Sequence, residues 1–250
     1  MTRLRPRDSG STLAKAASPL AVLALFAVAL AACSDSVTTT PTSPSVPPAP
    51  MTDVQSATAT YEVTFDATWS HSSHPVDFPE TAHYSPLIGG THDARARFWN
   101  EGTRASDGIE AMAERGQVSP LDSEIERAIR NGTAEFVLRG ESVRRTPATT
   151  SLRFTISQRF PLVTLVTMVA PSPDWFVGVA GLDLFAGGTW TSEITLPLYP
   201  WDAGTDDGAT FLSLDLEAQP HHAIAEIRAA PLAPRGFAAP MGSLTFRRMG

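Results

Sequence analysis

From Thr60 to Trp69 apolar and polar residues alternate. Tyr61, Val63, Phe65, Ala67 and Trp69 fall on one side, and Glu62, Thr64, Asp66 and Thr68 on the other. In an extended chain successive side chains point to opposite faces, so a period of two predicts a strand with one face in a core. Shorter runs of the same kind predict strands at 135–139, 152–157, 162–170, 175–179, 194–199, 210–214, 223–227 and 243–246. Pro and Gly clusters separate these runs, the punctuation of an antiparallel sandwich rather than of a strand-helix repeat. Helical signals are confined to the middle of the chain. Ser106-Asp107-Gly108 leads into IEAMAERG with Gly116 as a stop, and Pro120-Leu121-Asp122-Ser123 leads into EIERAIRNG with Asn131-Gly132 as a stop. The expectation is an all-β fold, an antiparallel β-sandwich with two short inserted helices, over residues 58–250. Residues 231–240, rich in Pro, read either as a loop before a last strand or as the start of a frayed end.

Before Thr58 neither period holds. Arg3, Arg5, Arg7 and Lys15 are followed by an uncharged run, Ala16 to Ala32, built mostly from Ala, Leu and Val. The run is shorter than the roughly 20 apolar residues of a membrane-spanning helix and reads, over residues 1–32, as an export signal. Leu30-Ala31-Ala32-Cys33 resembles the lipobox of bacterial lipoproteins, which implies cleavage before Cys33 and a lipid on its sulfur. The plainer alternatives are an ordinary signal peptide with a coincidental cysteine, or a short anchor. Ser34 stands where an Asp would imply inner-membrane retention, so the resemblance implies an exported protein, lipid-anchored to the cell envelope at an outer membrane or the cell surface. The rest of residues 33–57 is dominated by Ser, Thr and Pro, a composition that buries too little apolar surface to order itself and reads as a tether.

Composition narrows the function classes. With 42% hydrophobic residues, the 250-residue chain is not wholly disordered. Its single cysteine excludes an intrachain disulfide and a zinc site built on several thiolates. The formal charge is -7, and because residues 1–32 carry +3, the chain from Cys33 onward stands at -10. Such a surface repels phosphates, so no nucleic-acid partner is expected, whereas a cation site is favoured. Past Lys15 there is no lysine, and no GxSxG motif or Cys-His pairing offers a nucleophile. Gly89-Gly90 and Gly187-Gly188 precede no helix of the phosphate-binding kind.

Two segments carry the candidate chemistry. APSPDWFVG (170–178) leaves an apolar run through two prolines and places Asp174 at a turn; LYPWDAGTDDG (198–208) groups Asp202, Asp206 and Asp207 among glycines. Carboxylates on tight loops at strand ends are how oxygen-seeking cations are held, with calcium the first candidate. Plain turns are also rich in Asp and Gly, so this signal alone is weak. His71, His74, His83 and His92 lie close enough in the chain to invite a zinc proposal, imidazole being the usual zinc ligand. His221-His222 reads as a solvated loop, and the five tryptophans read as core plugs rather than sugar platforms, with Trp175 and Trp201 pinning the adjoining loops.

In order and spacing, YEVTFDATWSHSSHPVDFP, AHYSPLIGGTHD, FWNEGTRASDGIEAMAERG, TMVAPSPDWFVG, GGTW and LYPWDAGTDDG resemble the spondin domain of animal extracellular-matrix proteins. The resemblance implies a C2-like sandwich with a calcium ion held where strand-end loops converge, its acidic ligands falling on Asp174, Asp202 and Asp206. The function so implied is a calcium-binding, non-catalytic adhesion or interaction module whose partner is an unknown surface protein or glycan, touching a membrane only through the lipid on Cys33. The alternative is a metal-dependent hydrolase or sugar-modifying enzyme of the envelope. Calcium-assisted contact with anionic lipid ranks third.

Overall fold

In the computed structural model residues 56–250 are described; the export signal of 1–32, Cys33 and nearly all of the 33–57 tether lie outside the described residues. In chain order the strands are β1 (Thr58–Ala67), β2 (His83–Tyr84), β3 (Ile88–His92), β4 (Ala134–Arg139), β5 (Ala148–Ser157), β6 (Leu162–Ala170), β7 (Trp175–Asp183), β8 (Glu193–Leu198), β9 (Trp201–Asp202), β10 (Ala225–Glu226) and β11 (Gly242–Met249). The helices α1 (Asp107–Arg115) and α2 (Leu121–Arg130) lie between β3 and β4. Two antiparallel sheets result. One runs β5-β1-β11-β8; the other runs β10-β9-β7-β6-β3-β4, with β2 also paired to β6.

The alternation of β1 does what it predicts. Tyr61, Val63, Phe65 and Ala67 are buried between the sheets, while Glu62 faces outward and pairs with Arg153 across the strand gap at 2.9 Å. β6 has no alternation because it is covered on both sides, the usual reason for a continuous apolar run. Val163, Leu165 and Val169 join the core between the sheets; Val166, Met168 and Ala170 join a second core beneath Ile109 and Met112 of α1 and Leu121 and Ile125 of α2. The caps of α1 are those the sequence signals: Ser106 Oγ accepts from the N–H of Ile109, and Gly116 closes the helix at φ 62°. Among the described residues no helix is long and apolar enough to cross a membrane.

Three expectations need correcting. β3 is absent from the strands expected from the sequence, because Gly89-Gly90 interrupts the apolar pattern. Both glycines are there for close packing: a Cβ on Gly89 would stand 1.9 Å from the Thr164 carbonyl oxygen, and one on Gly90 2.8 Å from Ile125 Cγ2. The strand expected at 210–214 is a turn followed by residues that join no strand, since Thr210 and Ser213 bond each other and Phe211 enters the core. The strand expected at 223–227 shrinks to β10. Residues 231–240 are a loop before β11 and no frayed end, and Leu232, Ala233 and Ala238 enter the core.

The sandwich has two distinct ends. Ser56 marks one, where its carbonyl accepts from Trp190 Nε1 at 2.8 Å. From there β1 runs ten residues, roughly 33 Å at strand rise, to Trp69, which is buried against Tyr84 and Phe211.

His92 is buried at the end of β3, with Nδ1 2.9 Å from the Asp93 carbonyl oxygen and Nε2 2.8 Å from Thr164 Oγ1. Donation from Nδ1 to that carbonyl leaves Nε2 to accept the threonine hydroxyl, an arrangement of the neutral ring. Burial holds the His92 pKa below the ordinary value, and His74 is held low in the same way. An unfolded histidine takes up a proton below about pH 6.5 while these resist, so stability falls as pH drops through that range. Urea midpoints measured in calcium between pH 7.5 and 5 are expected to decline, and His92→Gln to flatten part of that slope; an unchanged slope would contradict the neutral assignment.

Candidate metal site

Asp174 sits in the short loop joining β6 to β7. The Ser172 hydroxyl accepts from the N–H of Trp175 at 3.1 Å and closes this turn. β7 then pairs with β9, setting Trp175 opposite Asp202 and Phe176 opposite Trp201. This register carries the Asp202–Asp206 turn across the top of Asp174, and the Ala203 N–H bonds the Asp174 backbone carbonyl at 3.1 Å. The turn is then fastened to the carboxylate itself: Asp174 Oδ2 accepts the N–H groups of Thr205 at 2.7 Å and of Asp206 at 3.2 Å. Gly204, at φ 74°, makes the bend, and its missing side chain leaves room for the His222 backbone 2.8 Å from where a Cβ would stand.

The structure thus brings Asp174 to the 202–206 turn although Asp174 and Asp202 stand 28 positions apart in the chain. The three carboxylates are used differently. Asp202 Oδ1 accepts from the N–H of Gly204 at 2.8 Å. Asp206 gives both oxygens to backbone groups, Oδ1 to the N–H of Gly208 at 2.6 Å and Oδ2 to that of Leu216 at 3.1 Å. Asp174 Oδ1 is buried without a hydrogen-bond partner. Among the described residues no three His, Cys, Asp or Glu side chains stand grouped as a ready ligand set.

The electrostatics follow from this placement. Burial, with the Asp202 charge adding to it, pushes the Asp174 pKa up to about 7, against the opposing pull of the Thr205 and Asp206 N–H groups. Asp202 is raised as well, mainly by burial. An orphaned carboxylate oxygen in a dry, acidic pocket calls for a positive charge, either a proton or a cation. In donor chemistry the residues fit a hard divalent ion: Asp174 Oδ1 is free, the second oxygen of Asp202 is uncommitted, and a carboxylate oxygen that accepts one N–H retains a further lone pair.

Thr205 was not singled out by sequence reading. Its N–H and its hydroxyl, the latter at 3.3 Å, both reach Asp174 Oδ2, and only its place between two of the named aspartates could have drawn notice. His222 is on an exposed loop as expected, yet its Nε2 stands 3.1 Å from Asp207. A cavity of about 390 Å³ lies beside the turn, lined by Asp202, Asp206, Asp207, His222, Glu226 and Arg228 among others. The remaining histidines are dispersed: His74 lies between Ser73 and Ala239, His83 bonds the Thr81 carbonyl, and His71 packs on Phe78. Trp175 packs edge-on to Phe211 at 5.4 Å and Trp201 to Trp99 at 5.4 Å, so both indoles brace the loops at this end.

The profile of the Spondin_N family matches residues 59–238. Spondin-2 of Homo sapiens is 37% identical over 178 residues, covering 68% of this chain and 53% of the relative. Spondin-2 of Rattus norvegicus is 36% identical over 176 residues, with 69% and 53% covered. Spondin-1 of Gallus gallus is 35% identical over 178 residues, covering 67% of this chain and 22% of the relative. The chain spans about half the length of the spondin-2 relatives it matches.

Proposed function

We propose that this chain, which belongs to the Spondin_N family, is a non-catalytic, extracellular interaction module whose loops are fixed by a calcium ion. The observation that carries the reading is the buried, unpartnered Oδ1 of Asp174 beneath an acidic turn. Asp174, Asp202 and Asp206 would hold the ion, which would neutralise charge that burial now makes costly and lock the β6–β7 loop to the turn after β9. The sealed position of Asp174 suits an ion that fixes loops rather than one that exchanges water with a substrate. The family supports an adhesion role outside the cell, and the lipobox-like Leu30–Cys33 supports anchoring there through lipid on Cys33.

Isothermal titration of the chelator-stripped chain tests this. Calcium is expected to bind at one site with a dissociation constant on the order of 10⁻⁴–10⁻³ M, the range of extracellular modules. Millimolar calcium should raise the melting temperature by a few degrees, as selective binding to the folded state requires. Silence in both measurements would end the calcium reading.

A further inference from the structure

Large apolar side chains open to solvent are concentrated at one end of this domain. Six stand exposed among the described residues, and five of them, Tyr199, Leu212, Leu214, Leu216 and Phe237, belong to loops at the end where β1 finishes and Leu198 of β8 meets Gly242. The sixth, Phe136, is on β4. Leu212, Leu214 and Leu216 are 78%, 88% and 57% exposed. Ser213 and Asp215, set between them in the chain, line a crevice shared with Glu114, Arg115 and Asp206. The leucines therefore form a ridge facing outward.

This ridge is held in place from below. Phe211 is buried between Trp69 and Trp175, with ring centroids 5.5 Å and 5.4 Å away. Asp206 ties the loop closed through Gly208 and Leu216, and the Asp207 N–H donates to the Leu216 carbonyl at 2.8 Å. A solvated connection needs no such brace, and exposed apolar side chains clustered on one loop mark an interaction surface. The charges around it indicate what kind. From Gly204 to Ile227 the chain carries Asp206, Asp207, Asp215, Glu217 and Glu226 but no Arg or Lys. Of the guanidinium groups bordering this stretch, Arg115 is engaged with Glu114 and Arg228 with Glu226. An anionic bilayer is repelled by such a loop, and a second copy would bring two acidic loops together.

The geometry points to a basic, amphipathic polypeptide segment as the occupant, its apolar side chains on Leu212, Leu214 and Leu216 and its Lys or Arg groups on the flanking carboxylates. This assignment names the contact surface of the interaction module proposed above and rests on that reading, though not on calcium. The test measures fluorescence anisotropy of a labelled synthetic peptide of alternating leucine and lysine pattern with the full chain, in calcium and in chelator. The expected result is binding that weakens with added salt, weakens at least about tenfold in the triple variant Leu212→Ser, Leu214→Ser, Leu216→Ser, and is absent for the same peptide with glutamate in place of lysine. The variant side chains point into solvent, so its melting temperature should match the parent. Absence of peptide binding would overturn the assignment, and equal affinity of the triple variant would do so by reducing the effect to charge. Ridge-dependent sedimentation with phosphatidylcholine–phosphatidylserine vesicles would overturn it in favour of lipid, as ridge-dependent self-association would in favour of a second copy. A silent calcium titration with intact peptide binding would remove the ion and leave the ridge.

Discussion

Asp174→Asn is expected to remove the largest part of the loss of stability that Asp174 causes in the chelated parent as pH rises from about 4 to 7, leaving the smaller share of Asp202 and the opposing slope of the buried histidines. With its folded pKa raised to about 7, Asp174 keeps a proton that the unfolded chain releases near 3.8. The folded state therefore binds more protons across that window, and stability is lost as pH rises through it; below the window both states are protonated and nothing is lost. Roughly three pKa units correspond to about 4 kcal/mol, a large fraction of the stability of a domain this size. Millimolar calcium should offset about 1 kcal/mol of that loss by supplying the charge the proton supplied. Denaturant midpoints across pH, with calcium and with chelator, check this for parent and variant. The histidine effect has the opposite sign and sits below pH 6.5, and it persists in calcium, so the two separate. A chelated parent that loses no more stability than Asp174→Asn between pH 4 and 7 would show that Asp174 ionises freely in the fold.

Gly89→Ala is expected to cost at least about 4 kcal/mol, beyond the usual range for a single methyl group. The added carbon would lie 1.9 Å from the Thr164 carbonyl oxygen, 2.8 Å from its carbonyl carbon and 2.9 Å from Leu165 Cα. All three are backbone atoms of β6, and Gly89 pairs with Leu165 in the ladder, so relief means parting β3 from β6. That would open the middle of the larger sheet beneath α2. Gly102→Ala is the control: it meets nothing within 4 Å and bears only the strain of φ 78°, of order 1–2 kcal/mol. Urea unfolding of the two variants should differ by at least about 2 kcal/mol in this order, and similar midpoints would refute the packing account of the glycine pair.

The same glycine pair shows where sequence reading reaches its limit. β1 was legible because one of its faces is wet, so burial writes itself into every second residue. α1 was legible because Ser106 and Gly116 satisfy helix ends locally. β3 was not, since its signal is the absence of side chains where another strand and a helix come close, and a residue's own neighbours in the chain carry no trace of that. The segment 210–214 misled for the converse reason: Phe211, Leu212 and Leu214 have strand-like residue types, but only the first is buried. For the candidate site, the aspartates could be named from the two loops, whereas the division of labour among them could not. That Asp206 serves the loop 207–217 through both oxygens, while Asp174 keeps one oxygen unpartnered, depends on the β7–β9 register.

The course of β1 has a mechanical consequence. It is the strand by which the described chain joins the domain at Ser56, and it is hydrogen-bonded along its length to β5 on one side and β11 on the other. The leucine-bearing loop lies at its far end. Tension between a partner gripping that loop and an anchor on the N-terminal side would run lengthwise through the sandwich, loading the two ladders of β1 in shear. Bonds loaded that way share the force and must fail together, whereas a strand peeled from its end gives them up singly. The topology thus suits a molecule that is pulled upon while it holds.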